Sequence, residues 1–493
     1  LHKAIRRQRQ MCIRDRYNFT IDRSLKTPAY RQLYFQISEY IEKGKILSGE
    51  KLPKIRELAS NLGIARNTVE AAYKQLALEG YAKGHRGIGY VVEDLDLSVF
   101  DGNASGRSDS ALIEASENVR NIFPLGSDLG CKYDFAYGNK DLGALPIDIM
   151  RAMIDKAFRA NNFESASLYM DPFGLYGLRK EIAKYVYKKR DIKCVPEQVV
   201  IQSGTQAALR KLASLFNESD ACVAVEDPGY NIARDAFIEE GYKIEPLPVH
   251  MDEVNVIERL QNSDAKLVVA TPSNQFPLGF VMSLSMRLKL IDWARKKDAY
   301  IIEDDYCCEF RYESSPSPAL RAIDKDNTIY LGTMSKILTP AIRISYIILP
   351  AALLERWNKR FPSDLCAVPW LEQEMLRLFL ESNTWDRYER STVNTYRKRH
   401  DILTKSLKSE MGDLVDVLDE GAGLHLLVVD KYERTQEELI ELARRKSVRV
   451  YPTDQYWTTD THPMKSSILI GFSKITEEEI PKGIKQLARA WSL

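Results

Sequence analysis

The chain has 493 residues, too many for one ordinary hydrophobic core, so two or more domains are expected. Hydrophobic residues make up 44% and charged residues 28%, which excludes wholesale disorder, and a net charge of +1 does not by itself announce a polyanion partner. No apolar run is long enough to span a bilayer, no secretory leader is visible, and the seven cysteines lack ligand spacing, so a cytoplasmic chain with neither membrane partner nor metal site is expected.

Residues 1–16 carry six basic side chains against one acid and show no helical apolar face. They read as an adapter-like, non-native tail, with a basic arm that assists DNA binding as the alternative. From residue 28 the pattern becomes helical. Leu33, Ile37 and Ile41 repeat at i, i+4, i+8; Ile55, Leu58, Ala59 and Leu62 form a second stripe that Gly63 ends; Val69, Ala72, Tyr73 and Leu76 form a third that Gly80 closes. Two short helices joined by a glycine turn make a helix-turn-helix, and Tyr81–Val92, punctuated by Gly84, Gly87 and Gly89, reads as a hairpin wing.

Basic residues crowd this segment. Arg66, Asn67 and Thr68 open the third helix, the end that enters the major groove in such motifs; Arg66 is suited to a base edge or a phosphate, and Thr68 to a phosphate. Arg56 precedes them, and Lys83, His85 and Arg86 sit on the wing, within reach of backbone or minor groove. Any one of these is equally well a solvated surface charge; the constellation is what points to a DNA duplex. Gly49–Ala59, Leu62–Val69, Tyr73–Leu76 and Glu79–Tyr81 resemble the GntR-type winged helix over about 65 residues. Lys54 and Ala65 stand where that family usually has serine helix caps, which predicts a less stable domain rather than a lost function. The DNA-binding domain is accordingly expected at 17–92.

Residues 93–132 are polar and acidic early on and read as a flexible linker, with a short helix expected over Leu112–Val119. From Tyr133 to the end, apolar runs alternate with helical stretches. Val199–Gln202, Ala221–Glu226, Leu267–Thr271, Tyr300–Glu303, Thr328–Leu331 and Ile344–Leu349 predict strands, with helices such as Ala207–Leu215 and Met286–Lys297 between them. That order predicts an α/β/α domain around a mostly parallel sheet, with its ligand at the carboxyl ends of the strands.

Lys336, in Gly332-Thr-Met-Ser335-Lys336, follows one strand, and Asp304, in Ile301-Ile-Glu-Asp-Asp-Tyr306, ends the preceding one. Pyridoxal 5'-phosphate needs a lysine for its Schiff base and a carboxylate for its pyridine nitrogen. Ser203-Gly204-Thr205-Gln206 opens a helix and offers backbone N–H groups to a phosphate; Tyr230 can stack on a ring; Asn274 and Tyr306 can reach a ring oxygen; Arg343 can clamp a phosphate. Each has an ordinary structural reading, and their joint order carries the signal. That order resembles fold type I aminotransferases over about 360 residues, and the whole chain resembles a MocR/GabR-type transcriptional regulator.

The resemblance implies Lys336 as the residue that bonds the cofactor and Asp304 on the pyridine nitrogen. It places Asn274 and Tyr306 on the ring oxygen and Tyr230 over the ring, with Gly204, Thr205, Gln206, Ser335 and Arg343 around the phosphate. It further implies that Tyr169 reaches the phosphate of a partner subunit, hence a homodimer. Leu469 stands about where aminotransferases present the arginine that holds a substrate carboxylate; Arg234 and Arg449 are the alternatives. The expected function is a DNA-binding transcription regulator that senses an amine, an amino acid or the cofactor itself. An active aminotransferase with an accessory DNA-binding domain is the alternative.

Overall fold

Apolar stripes at helical spacing bury themselves in the first of two units, Leu1–Ser127. The computed structural model describes residues 17–25, 27–95, 130–159, 167–217, 221–249, 253–312, 318–418, 421–459 and 462–492; the opening tail and the expected helix over Leu112–Val119 lie outside them. Helices α1 (Ala29–Glu42), α2 (Ile55–Leu62) and α3 (Arg66–Leu78) precede a hairpin of β1 (Ala82–His85) and β2 (Gly89–Val92). Leu33, Ile37 and Ile41 of α1 share a core with Leu58 and Ala59 of α2 and with Val69, Ala72, Tyr73 and Leu76 of α3, as their spacing predicts. The Tyr73 hydroxyl donates to the Pro53 carbonyl at 2.8 Å, which ties the third helix to the segment before the second. Gly63 takes φ 61°, a left-handed value that a Cβ would oppose, and so ends α2.

The second unit, Asp128–Leu493, is built on a seven-stranded sheet in the order β4-β10-β9-β8-β7-β5-β6. Its strands are β4 (Val199–Gln202), β5 (Cys222–Asp227), β6 (Lys243–Pro248), β7 (Leu267–Ala270), β8 (Tyr300–Asp304), β9 (Thr328–Thr333) and β10 (Ser345–Ile348). β5 to β9 run parallel, and β10 is antiparallel to both its neighbours. Continuous apolar runs suit strands covered on both faces. Along β5, Val223 and Val225 join Leu212, Phe237 and Trp357 on one face, while Ala224 joins Leu290 and Trp293 on the other. Sequence periodicity misses β6, an edge strand that pairs only with β5 and is interrupted by Pro246.

Before this sheet come β3 (Tyr133–Asp134), α4 (Ile147–Arg159) and α5 (Tyr176–Arg190); between its strands lie α6 (Thr205–Phe216), α7 (Asn231–Glu239), α8 (Glu253–Asn262) and α9 (Leu284–Lys297). After it come α10 (Leu353–Arg360), α11 (Trp370–Glu381) and the 28-residue α12 (Thr384–Met411). The chain then forms a four-stranded antiparallel sheet, in the order β11-β12-β15-β14, from β11 (Val415–Leu418), β12 (His425–Asp430), β14 (Tyr451–Pro452) and β15 (Ser467–Gly471). The short β13 (Val448–Arg449) pairs in parallel with β3, so the start of the unit is stitched to its end.

Neither Lys54 before α2 nor Ala65 before α3 makes a side-chain cap. Serine at either position can accept a hydrogen bond from the open first turn, so Lys54→Ser and Ala65→Ser are each expected to stabilise the N-terminal unit by about 0.5–2 kcal/mol. Thermal melts that show no gain would refute this.

Candidate functional site

Parallel strands direct their following loops to one edge of the sheet, and five of those loops converge there. They close a cavity of about 230 Å³ lined by Thr205, Gln206, Tyr230, Asp304, Tyr306, Ser335, Lys336 and Arg343, eight of the eleven pocket residues expected from sequence. Gly204 and Asn274 stand directly behind this lining. Tyr169 does not join the cavity of its own chain and is 90% exposed.

Lys336 follows β9 by three residues, and its Nζ lies 4.1 Å from the centre of the Tyr137 ring. Gly138 presses on the same atom: a Cβ there would come within 2.9 Å of Nζ. Burial pushes the ammonium down to about 8, against the opposing pull of Cys307 and Asp304. An amine near neutrality is one that can act as a nucleophile. Asp304, only 3% exposed, ends β8 with Oδ1 lacking a hydrogen-bond partner. Burial, helped by Asp305, raises its carboxyl to about 7. Asn274 donates from Nδ2 to the Tyr306 hydroxyl at 3.0 Å and leaves its own buried Oδ1 without a partner.

At the other end of the cavity, Thr205 and Gln206 begin α6, whose open N–H groups favour an anion. The buried Ser335 hydroxyl has no partner. Gly204 takes φ 89°, and a Cβ there would fall 2.2 Å from Nη2 of Arg343, so only glycine lets the guanidinium lie against this turn. The set fits pyridoxal phosphate. Unpartnered buried polar atoms at Asp304 and Ser335 mark positions where the cofactor's ring nitrogen and phosphate would be received, and the Asn274 amide N–H beside the Tyr306 hydroxyl is the donor available to a ring oxygen.

Sequence reasoning missed part of the wall. Tyr137 lines the cavity from the segment after β3, as does Phe276, two residues after Asn274, while His425 at the start of β12 packs behind both rings. Ring centroids lie 5.2 Å apart for Tyr137–Phe276, 5.0 Å for Tyr137–His425 and 4.8 Å for Phe276–Tyr456. His425 Nε2 lies 3.0 Å from the Pro277 carbonyl, and burial drives its pKa down to about 4, so it packs as a neutral ring. The aromatic residue directly before Gly138–Asn139 was the available signal, but it stands 199 residues from Lys336 and nothing local joins them.

The alternative carboxylate holders are otherwise engaged. Leu469 is 1% exposed in β15 between Leu427 and Tyr451. Arg234 donates to the carbonyls of Trp457 at 2.7 Å and Gln455 at 3.3 Å, and Arg449 lies over the Tyr451 ring.

In the first unit Arg56, Arg66, Asn67, Lys83, His85 and Arg86 are all exposed, and Thr68 is half-buried at the start of α3. Among the described residues none of their cations forms an ion pair, whereas Lys74 within α3 is bridged to Glu70 at 3.0 Å. A row of unpaired cations at a helix start and on a hairpin suits phosphates.

A carboxyl whose folded pKa is raised holds its proton in the native state when the unfolded chain has released it. Its contribution to stability therefore falls as pH rises from about 4 to about 7. In cofactor-free protein, Asp304→Asn should flatten the decline in melting temperature over that window, by at most about 1.4 kcal/mol per pH unit; an unchanged profile would show that Asp304 does not hold the proton.

Residues 131–487 match the family described as aminotransferase class I and II, and residues 29–92 match the gntR family of bacterial regulatory proteins. The HTH-type transcriptional regulator YdeL of Bacillus subtilis is 35% identical, over 96% of this chain and 99% of its own length. The probable rhizopine catabolism regulatory protein MocR of Rhizobium meliloti is 30% identical, over 96% of this chain and 95% of its own. Among solved structures, an archaeal alanine:glyoxylate aminotransferase superposes with a TM-score of 0.68 at 26% identity, covering 80% of this chain and 99% of that one. The α-aminoadipate aminotransferase LysN of Thermus thermophilus superposes at 0.66 with 22% identity, covering 73% and 91%. The chain therefore belongs to the MocR-type HTH transcriptional regulators, in which a gntR-family DNA-binding domain is joined to a fold type I aminotransferase domain.

Proposed function

We propose that this regulator reads the state of its cofactor pocket as a signal, with residues 17–92 holding the operator, 93–132 acting as tether and 133–493 holding pyridoxal phosphate. The observation that carries the reading is the Lys336–Asp304 pair, a desolvated amine and a buried carboxyl with an unpartnered oxygen, beside the unpartnered buried hydroxyl of Ser335. When bound, pyridoxal phosphate supplies an aldehyde that reacts with amines and a ring that withdraws electrons. Lys336 would hold the aldehyde end and Asp304 would keep a proton at the ring nitrogen. Asn274 and Tyr306 would orient the ring oxygen, Tyr230 would cover the ring, and Thr205, Gln206, Ser335 and Arg343 with the Gly204 turn would grip the phosphate.

An effector amine that competes with Lys336, or the cofactor arriving as effector, would change contacts at the loops after β8 and β9. Only such a difference between the two states can bias DNA binding. Tyr169, exposed within its own chain, is assigned to the phosphate of a second subunit, which makes the working form a homodimer in the cytoplasm. Arg56, Arg66, Asn67 and Thr68 face the duplex, with Lys83, His85 and Arg86 on the wing.

The completeness of the pocket also supports a second reading, an active aminotransferase; the apolar Leu469 and the occupied Arg234 weigh against ordinary amino-acid turnover. Purified protein incubated with pyridoxal phosphate should gain a visible absorption band that Lys336→Ala lacks, and an unchanged spectrum in the variant would remove Lys336 from the site. Rapid multiple turnover with a panel of amines would make the enzyme primary. Arg66→Ala should weaken operator binding by about 1–3 kcal/mol and flatten its salt dependence by about one phosphate contact; equal affinity would take Arg66 out of the interface.

A further inference from the structure

The long helix α12 buries one side and exposes the other. Trp385, Tyr396, Leu403, Leu407 and Met411 face the core. The opposite side presents Arg387, Arg390, Arg397, Lys398, Lys405 and Lys408, all exposed. At 100° per residue these six lie within one third of the helix circumference, and from first to last they extend about 31 Å. Among the described residues none of them forms an ion pair. The acids that could neutralise the first turns are taken by lysines of α5: Asp386 by Lys188 at 2.7 Å and Glu389 by Lys189 at 2.7 Å. Asp401 is the one acid within the stripe, and it lies 3.3 Å from His400.

We infer that this stripe is a second DNA-contacting surface, laid against the phosphate backbone of the duplex that the winged helix holds. The second unit has more acids than bases overall, so the stripe is not a by-product of a basic composition. Arg387 beside Arg390 and Lys405 beside Lys408 are like-charge pairs at i,i+3, which oppose the helix, and Arg390 only adds to the positive charge felt by Asp386, which Lys188 already holds. The remaining exposed positions between the cations, Ser391, Asn394 and Asp401, are polar. An interface for another protein would need an apolar centre, which this face lacks. Cations, serine and asparagine are phosphate-contacting types, and 31 Å is close to one turn of the duplex, roughly 34–36 Å. The contact carries no sequence information; it adds affinity to any DNA long enough to reach both surfaces.

The inference rests on the winged helix binding DNA, and the test separates the two. Full-length protein loaded with pyridoxal phosphate is titrated with a random-sequence duplex of about 60 bp across a salt series. The variant Arg387→Gln/Arg390→Gln/Arg397→Gln/Lys405→Gln is compared with the corresponding three Arg→Lys changes and with Arg66→Ala. The glutamine variant should bind about 10-fold or more weakly near 0.1 M salt, with a log–log salt slope shallower by about two to three, since each lost phosphate contact removes about 0.9. The lysine variant should keep the wild-type slope, because charge rather than shape is read, and the cofactor's absorption band should persist in both as evidence of folding. A glutamine variant with wild-type slope and affinity, beside an Arg66→Ala protein that is weakened, overturns the stripe alone. Wild-type protein that binds no duplex overturns the DNA reading and this inference with it.

Discussion

Glu303, Asp304 and Asp305 stand consecutively at the carboxyl end of β8, all at most 3% exposed, and three buried carboxylates in a row must each find compensation. Glu303 accepts from the backbone N–H groups of Leu320 and Arg321 at 2.9 Å each and so caps a helical turn. Asp305 takes Arg190 at 2.7 Å and the Tyr330 hydroxyl at 2.9 Å. Of the three, Asp304 is the one that lines the cavity, with its Oδ1 unpartnered, and a protonated ring nitrogen there would compensate it. The pocket can present one carboxyl beside Lys336 because the surrounding fold holds Glu303 on two backbone N–H groups and Asp305 on Arg190 and Tyr330.

The opposite wall depends on chain brought from far away. The Ile337 carbonyl, next to Lys336, accepts from the Tyr388 hydroxyl of α12 at 2.8 Å and from the buried Lys140 ammonium, which burial lowers to about 7. Asp141 in turn pairs with Arg399 at 2.8 Å, and Arg399 also donates to the Ser473 carbonyl. The segment that lays Tyr137 over Lys336 is thus tied at once to the lysine's own loop, to α12 and to the end of the four-stranded sheet. These ties join the pocket wall to α12. The helix that receives them also carries the exposed cations on its far side.

Much of this was legible in the residues themselves. The three helical stripes of the first unit name their own buried positions, because a 3.6-residue repeat leaves little choice of face. The strand ends bearing Gly204, Asp304 and Lys336 could be read in order, since each motif is a strand followed at once by its functional residue. β6 was not legible: an edge strand buried on fewer sides carries a weaker apolar run, and Pro246 disguises it. The four-stranded antiparallel sheet was equally hidden, because its strands are short and pair across long intervals.

Local chemistry and periodicity therefore determined the two-domain plan and the helix-turn-helix with its uncapped helix starts, while the lysine, aspartate and arginine of the pocket came from strand-end motifs read together with their resemblance to fold type I aminotransferases. Tertiary structure decided how the carboxylates on either side of Asp304 are held away from the cavity, that Tyr137 and Phe276 complete the wall with His425 packed behind them, and that Arg234 is spent on the 455–457 loop. The reason is physical. A helix stripe or strand-end motif acts between neighbours in the chain, whereas an ion pair or a ring contact across 199 residues exists only once the sheet has brought its ends together.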